Sequence, residues 1–133
     1  MANLEIVNVD TGSVILRDAV HSDGLLTFAG ADTFVAGTII ARDSVSLKYV
    51  VFVKGGSTNE NGIPKALLTS DISAAGAGDV AIRAMITGFL RKERLVIDAD
   101  GDDTNVDATV RDQLRTYGLV ALDVQELNIL DNQ

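Results

Sequence analysis

Phe34-Val35-Ala36-Gly37-Thr38-Ile39-Ile40-Ala41-Arg42-Asp43, followed after a short polar turn by Lys48-Tyr49-Val50-Val51-Phe52, is the stretch that decides the fold. A small-residue turn feeds an apolar run, Asp43-Ser44-Val45 reverses the chain, and a second run carries a tyrosine. Residues 35–42 and 46–54 are therefore predicted to form a hairpin. In its second strand Leu47, Tyr49, Val51 and Val53 share one face, while Val50 and Phe52 lie on the other between Lys48 and Lys54. Apolar residues on both faces imply a strand covered on both sides, or one whose second side meets another subunit.

Most of the chain outside this hairpin also reads with a period of two. Leu4, Ile6 and Val7 form a short apolar run that ends at the turn signal Asp10-Thr11-Gly12, and Val14-Ile15-Leu16 is a second short run. Ser22-Asp23-Gly24 is expected to turn the chain into Leu25-Leu26-Thr27-Phe28, and Ala29-Gly30-Ala31-Asp32 to turn it again. Residues 55–62 read as a long polar loop, and Pro64 stands at the entrance to the next strand, where its missing N–H costs least. Ala74-Ala75-Gly76-Ala77-Gly78 is another small-residue loop. Beyond it Val80, Ile82, Ala84 and Ile86 alternate with Ala81, Arg83, Met85 and Thr87, and Gly88 marks a bulge or a close backbone approach.

One helix stands out, over about residues 104–117. Thr104 with Asp107 fits a capping box, Val106, Val110 and Leu114 fall on one stripe, and Gly118 suits the position after the last turn. Leu119 to Leu122 and Leu127 to Leu130 read as short strands. The class is mainly β (α+β), a compact barrel-like domain with one helix in its C-terminal half.

A chain of 133 residues suits a single domain whose core needs neither disulfide nor metal. The division is an N-terminal arm over 1–12 and one β-rich domain over 13–133. A net charge of −8 disfavours phosphate backbones and anionic membranes as partners, since both demand clustered Lys and Arg. Cysteine is absent, so thiol chemistry and disulfide staples are excluded. Met1-Ala2-Asn3-Leu4-Glu5 has no basic n-region, and no apolar run approaches a membrane span, so neither secretion nor insertion is expected.

No catalytic, cofactor or metal site is expected. The acidic stretch Asp98 to Asp107 invites comparison with a calcium loop, but counted from Asp98 the sixth position is Asp103 rather than glycine and the twelfth is Thr109 rather than glutamate. A solvated turn feeding the helix explains it better. His21 is the single histidine, and Gly76-Ala77-Gly78 precedes a strand, without the aligned amides of a phosphate cradle. The Ala- and Gly-rich loops read as ordinary turns or as places where another backbone comes close. Leu4 to Val7 reads either as an edge strand of the domain or as a strand that pairs with a partner's sheet edge.

The order of these segments carries a resemblance. Residues 34–53, Ile63-Pro64-Lys65-Ala66-Leu67-Leu68, Asp79-Val80-Ala81-Ile82 running to Gly88, and Arg111-Asp112-Gln113-Leu114-Arg115 before Tyr117-Gly118 together resemble the phage head decoration (capsid cement) family of the lambda type. The resemblance covers about residues 24–130. It implies a β-tulip-like domain with no enzymatic activity that assembles as a homotrimer. It implies that the trimer, made in the host cytoplasm, sits on the outer surface of the virion, where it binds the major capsid protein and stabilises the expanded head. On that resemblance Asn3, Leu4, Glu5, Ile6 and Val7 form the capsid-binding arm, and Phe34, Val35, Val50 and Phe52 are candidates for the trimer contact. The arm is shorter than the lambda-type pattern and lacks proline, and the C-terminal helical region is longer. Two other functions fit a small β domain: an oligomeric ligand-binding or nucleotide-hydrolase domain, and the base of a head fibre or adhesin presenting loop 55–62.

Overall fold

A computed structural model describes residues 14–123. Eight strands and one helix follow in order: β1 (Ile15–Phe28), β2 (Asp32–Phe34), β3 (Ile39–Arg42), β4 (Tyr49–Val51), β5 (Ala66–Leu68), β6 (Ile72–Ala74), β7 (Gly78–Arg91), α1 (Ala108–Thr116) and β8 (Leu119–Leu122). Five strands close on themselves in the order β1-β4-β3-β5-β7, because β7 pairs back onto β1. Every pairing in the ring is antiparallel except β1 with β4, which meet in parallel at Leu26 and Tyr49. β8 extends β7 in parallel outside the ring, and β2 and β6 form a separate ribbon. The expectation of a mainly β domain with one helix holds.

Alternation along the strands sorts the apolar residues into two layers. Leu26 and Phe28 of β1, Ile40 of β3, Tyr49 of β4, Ala66 and Leu68 of β5, and Ile82 and Ala84 of β7 pack together, so all five staves of the ring fill one interior. Their neighbours Ile39, Leu67 and Met85 point the other way and pack with Phe52, Leu95, Ile97, Val106, Val110, Leu114 and Leu119. The β3–β5–β7 wall is thus buried on both faces. That is why Ile39-Ile40-Ala41 and Ala66-Leu67-Leu68 are uninterrupted apolar runs. On the hairpin's second strand Tyr49 faces the ring's interior, Val50 is half-buried, and Phe52 just beyond the strand packs in the helix layer.

The β2–β6 ribbon plugs one end of the ring. Phe34 stacks on Phe28, the last residue of β1, with ring centroids 4.8 Å apart, and Ile72 and Ala74 pack beside them.

Four expectations need correction. Ser22-Asp23-Gly24 is not a turn: β1 runs straight through it, paired residue for residue with Ala84, Arg83 and Ile82 of β7. Glycine stands at 24 for space, since a Cβ there would lie 2.6 Å from the Tyr49 ring. β3 starts at Ile39 rather than 35, because Thr38 turns back onto the Val35 carbonyl through both its N–H (3.1 Å) and its hydroxyl (2.7 Å). β4 is likewise shorter than 46–54, being limited to the residues that pair with β3. The helix is capped by Asp107, whose Oδ1 accepts from Val110 N at 3.0 Å, and it therefore begins at Ala108 rather than 104. Thr104 instead donates its N–H to Asp102.

Gly88 does mark a close approach. Its φ is 136°, and a Cβ would lie 2.9 Å from the Asp18 carbonyl oxygen on the facing strand, where the β1–β7 register shifts.

The Gly24–Tyr49 contact is testable. Gly24→Ala should destabilise the protein by about 1–3 kcal/mol in urea unfolding, the range for overpacking a filled core. Combined with Tyr49→Leu the two costs should add to less than their sum. Strict additivity would show that the ring is not what excludes a side chain at 24.

Candidate functional site at the open end of the barrel

The end of the ring opposite the β2–β6 plug carries the turn between β3 and β4. Arg42 and Tyr49 form the last rung of that ladder, and Asp43 to Lys48 loop beyond it. The loop is tightly specified. Asp43 N donates to the Lys48 carbonyl (2.9 Å) and Leu47 N to the Asp43 carbonyl (2.8 Å), while the Asp43 carboxylate accepts from Val45 N (2.9 Å). Ser44 donates its N–H (3.0 Å) and its hydroxyl to Glu60, which ties the 55–62 loop to the same end. Leu47, Asn59 and Glu60 are three of the four non-glycine residues with positive φ among the described residues.

This rigid turn presents apolar side chains to solvent: Val45 is 91% exposed and Leu47 57%. Leu47 occupies a left-handed conformation (φ 62°) that costs a branched side chain about 1 kcal/mol or more relative to glycine. Among the described residues nothing offsets that cost by burying it.

Beneath the turn the ring opens into a recess of about 250 Å³ lined by Arg42, Tyr49, Lys65, Ile86, Thr87 and Tyr117. Lys65 Nζ lies 5.4 Å from the centre of the Tyr117 ring, and Arg42 Nε donates to the Leu47 carbonyl at 3.4 Å. Among the described residues neither cation has an acidic partner within 4 Å, whereas Arg17, Lys48, Lys54, Arg83, Lys92 and Arg115 all do.

The acidic turn is held by its own partners. Asp103 pairs with Lys92 (3.0 Å), Asp107 with Lys54 (2.7 Å), Asp102 accepts from Thr104 N (2.9 Å) and Asp100 from the Asn105 amide (2.9 Å). Among the described residues no three His, Cys, Asp or Glu side chains converge as a metal site would require. His21 Nε2 lies 3.4 Å from the Thr69 hydroxyl.

The contact candidates drawn from sequence are separated by the fold. Phe34 and Phe52 are buried in the protomer's own two layers and have no surface to offer another copy. Val35 is exposed and Val50 half-buried. Asn3, Leu4, Glu5, Ile6 and Val7 lie outside the described residues. The turn at Asp43-Ser44-Val45 was legible in the sequence, but its extension through Leu47 was not, because Leu47 reads as part of the second strand. A left-handed leucine leaves no mark in a sequence.

No family model matches this chain, and neither a curated protein nor a solved structure matches it.

Two carboxylates hold the turn, and both titrate low. The Val45 amide lowers the Asp43 pKa, and the Ser44 hydroxyl, then its amide, lower that of Glu60, with Lys65 adding to the effect. A depressed pKa contributes stability that is complete above the unfolded value and is lost as pH falls through the folded one. The turn should therefore stay ordered down to about pH 4, near ordinary carboxylate pKa values, and loosen below it. Amide exchange at Val45 and Ser44 checks this, and exchange protection that does not fall in acid would contradict it. Leu47→Gly should leave the melting temperature unchanged or raise it, because relief of strain offsets the added chain entropy.

Proposed function

We propose that this chain is a structural decoration protein of a phage head, binding the outer surface of the expanded shell as a homotrimer and stabilising it without catalysis. The observation that carries the reading is the strained apolar turn fixed at the open end of a stiff aliphatic barrel. An exposed apolar side chain held at a backbone cost suits contact with another protein better than it suits a monomer's stability. The resemblance to the decoration family supports it, and the stretches that carry that resemblance form four of the ring's five strands: 34–53 spans β3 and β4, 63–69 spans β5, and 79–90 spans most of β7.

The physics of the role needs no reactive group. A protein that binds only the expanded shell stabilises that state by mass action. Copies joined in a trimer bind together through a high effective concentration, so each contact can be modest. In this reading Asn3 to Val7 supplies an arm that adds main-chain hydrogen bonds to a sheet edge of the major capsid protein. The acidic exterior repels nucleic acid and keeps free copies apart until a specific contact forms.

Mixing the purified protein with expanded, undecorated heads is the direct test. Saturable addition in multiples of three per local threefold site, together with heads that resist heat or chelator better than bare ones, is the expected outcome. No addition at micromolar protein would overturn the reading.

A further inference from the structure

Among the described residues a single side-chain polar atom is buried without a partner, the Asn61 Oδ1. It is shut off from solvent against Gly56, so closely that a Cβ at 56 would overlap it. A buried acceptor without a donor carries a desolvation cost that nothing repays. Nδ2 of the same amide makes no bond to a described residue either. The backbone around it is held: Asn61 N donates to the Thr58 carbonyl (3.0 Å), Val53 N to the Asn61 carbonyl (2.9 Å) and Ile63 N to the Glu60 carbonyl (3.2 Å). Between them the Gly62 N–H is left over, with no acceptor among the described residues.

This juxtaposition of a free asparagine amide and a free glycine N–H does not recur among the described residues. Asn105 gives its amide to Asp100 at 2.9 Å and precedes branched Val106, and Asn59 precedes Glu60. Gly101, which follows Asp100, donates its N–H to the Ile97 carbonyl at 2.9 Å, and Asp23-Gly24 lies inside the β1–β7 ladder.

We propose that Asn61 is a site of spontaneous covalent modification, where the folded protein deamidates through Gly62 and so loosens the 55–62 loop from the β3–β4 turn. Asparagine is a thermolabile residue, and a following glycine has no Cβ to shield the attacking nitrogen. Gly62 N loses its proton to base and attacks Asn61 Cγ. A C–N bond forms and closes a five-membered imide, the bond from Cγ to Nδ2 breaks, and Nδ2 takes a proton and leaves as ammonia. Water then opens the ring at either carbonyl, leaving aspartate or isoaspartate at 61. Bonds to the side-chain amide or to the next N–H would hinder the closure, and neither is made here.

Either product puts a carboxylate where Oδ1 has no donor, beside Glu60, whose own carboxylate holds Ser44. Isoaspartate also lengthens the main chain by one carbon where Gly62 packs on the Gly56 backbone. The bond from Ser44 N to Glu60 weakens as a result. The site needs neither a second copy nor a shell, so it stands apart from the function proposed above.

Ageing the purified full chain in warm, mildly alkaline buffer tests it, with intact mass and peptide mapping as the readout and circular dichroism to confirm the fold. Residue 61 should convert to a mixture of aspartate and isoaspartate, faster as pH rises, while Asn59 and Asn105 stay intact in the same samples. Amide exchange at Ser44 should be faster in the aged protein than in fresh protein. Asn61→Asp should show that faster exchange from the start, and the aged wild type gives the same reading should that variant fail to fold. Folded protein that keeps Asn61 while urea-unfolded protein loses it would overturn the inference, because the fold would then be shielding the amide. Conversion of Asn59 or Asn105 at the same pace would overturn it too, as would aged protein whose Ser44 exchange matches that of fresh protein.

Discussion

The pairing of β1 with β7 is the constraint on which everything else rests. Two strands of fourteen residues run antiparallel from Ile15–Leu90 to Phe28–Gly78, and this ladder turns an open sheet into a ring. Closure removes two edges that would otherwise invite pairing with other chains. It also fixes which residues face inward, because a slip by one would exchange Leu26 and Phe28 for Leu25 and Thr27. The strain of bending the ladder is concentrated where β1 and β7 change register. There Asp18 takes a positive φ and Gly88 lets the Asp18 carbonyl come within reach.

From that closure follow the two layers. The wall of β3, β5 and β7 sits between the ring's interior and the layer under α1, so its short strands are apolar on both sides and sequence periodicity is lost in them. Where one side meets solvent, as in much of β7, the alternation was legible. The helix was legible for a similar reason: Val110 and Leu114 must share a stripe to be buried together, and both are, with Val106 buried just before the cap. Its start was misplaced because Thr104 and Asp107 are both good capping residues. The choice was made by Lys54, whose ammonium lies 2.7 Å from Asp107 and helps fix that side chain.

Ser22-Asp23-Gly24 shows the opposite failure. Its residue types are those of a turn, and they were overridden by a tertiary demand: the Tyr49 ring needs the space above Gly24. Local propensity cannot register a partner twenty-five residues away. The open end was hidden for the same reason, since Arg42, Lys65 and Tyr117 meet only once the ring has closed and α1 has ended at Tyr117.

The two ends of the ring differ in how they cover the interior. At the plugged end aromatic stacking and the β2–β6 ribbon cover it, although Val35 beside the ribbon stays 45% exposed. At the open end the interior reaches daylight beside Ile86, under a turn that keeps Val45 and Leu47 in water. A monomer selected only for stability would place glycine or asparagine at 47 and a polar residue at 45, gaining on both counts. Among the described residues no packing buries either side chain, so the turn keeps its apolar surface in solvent at a backbone cost.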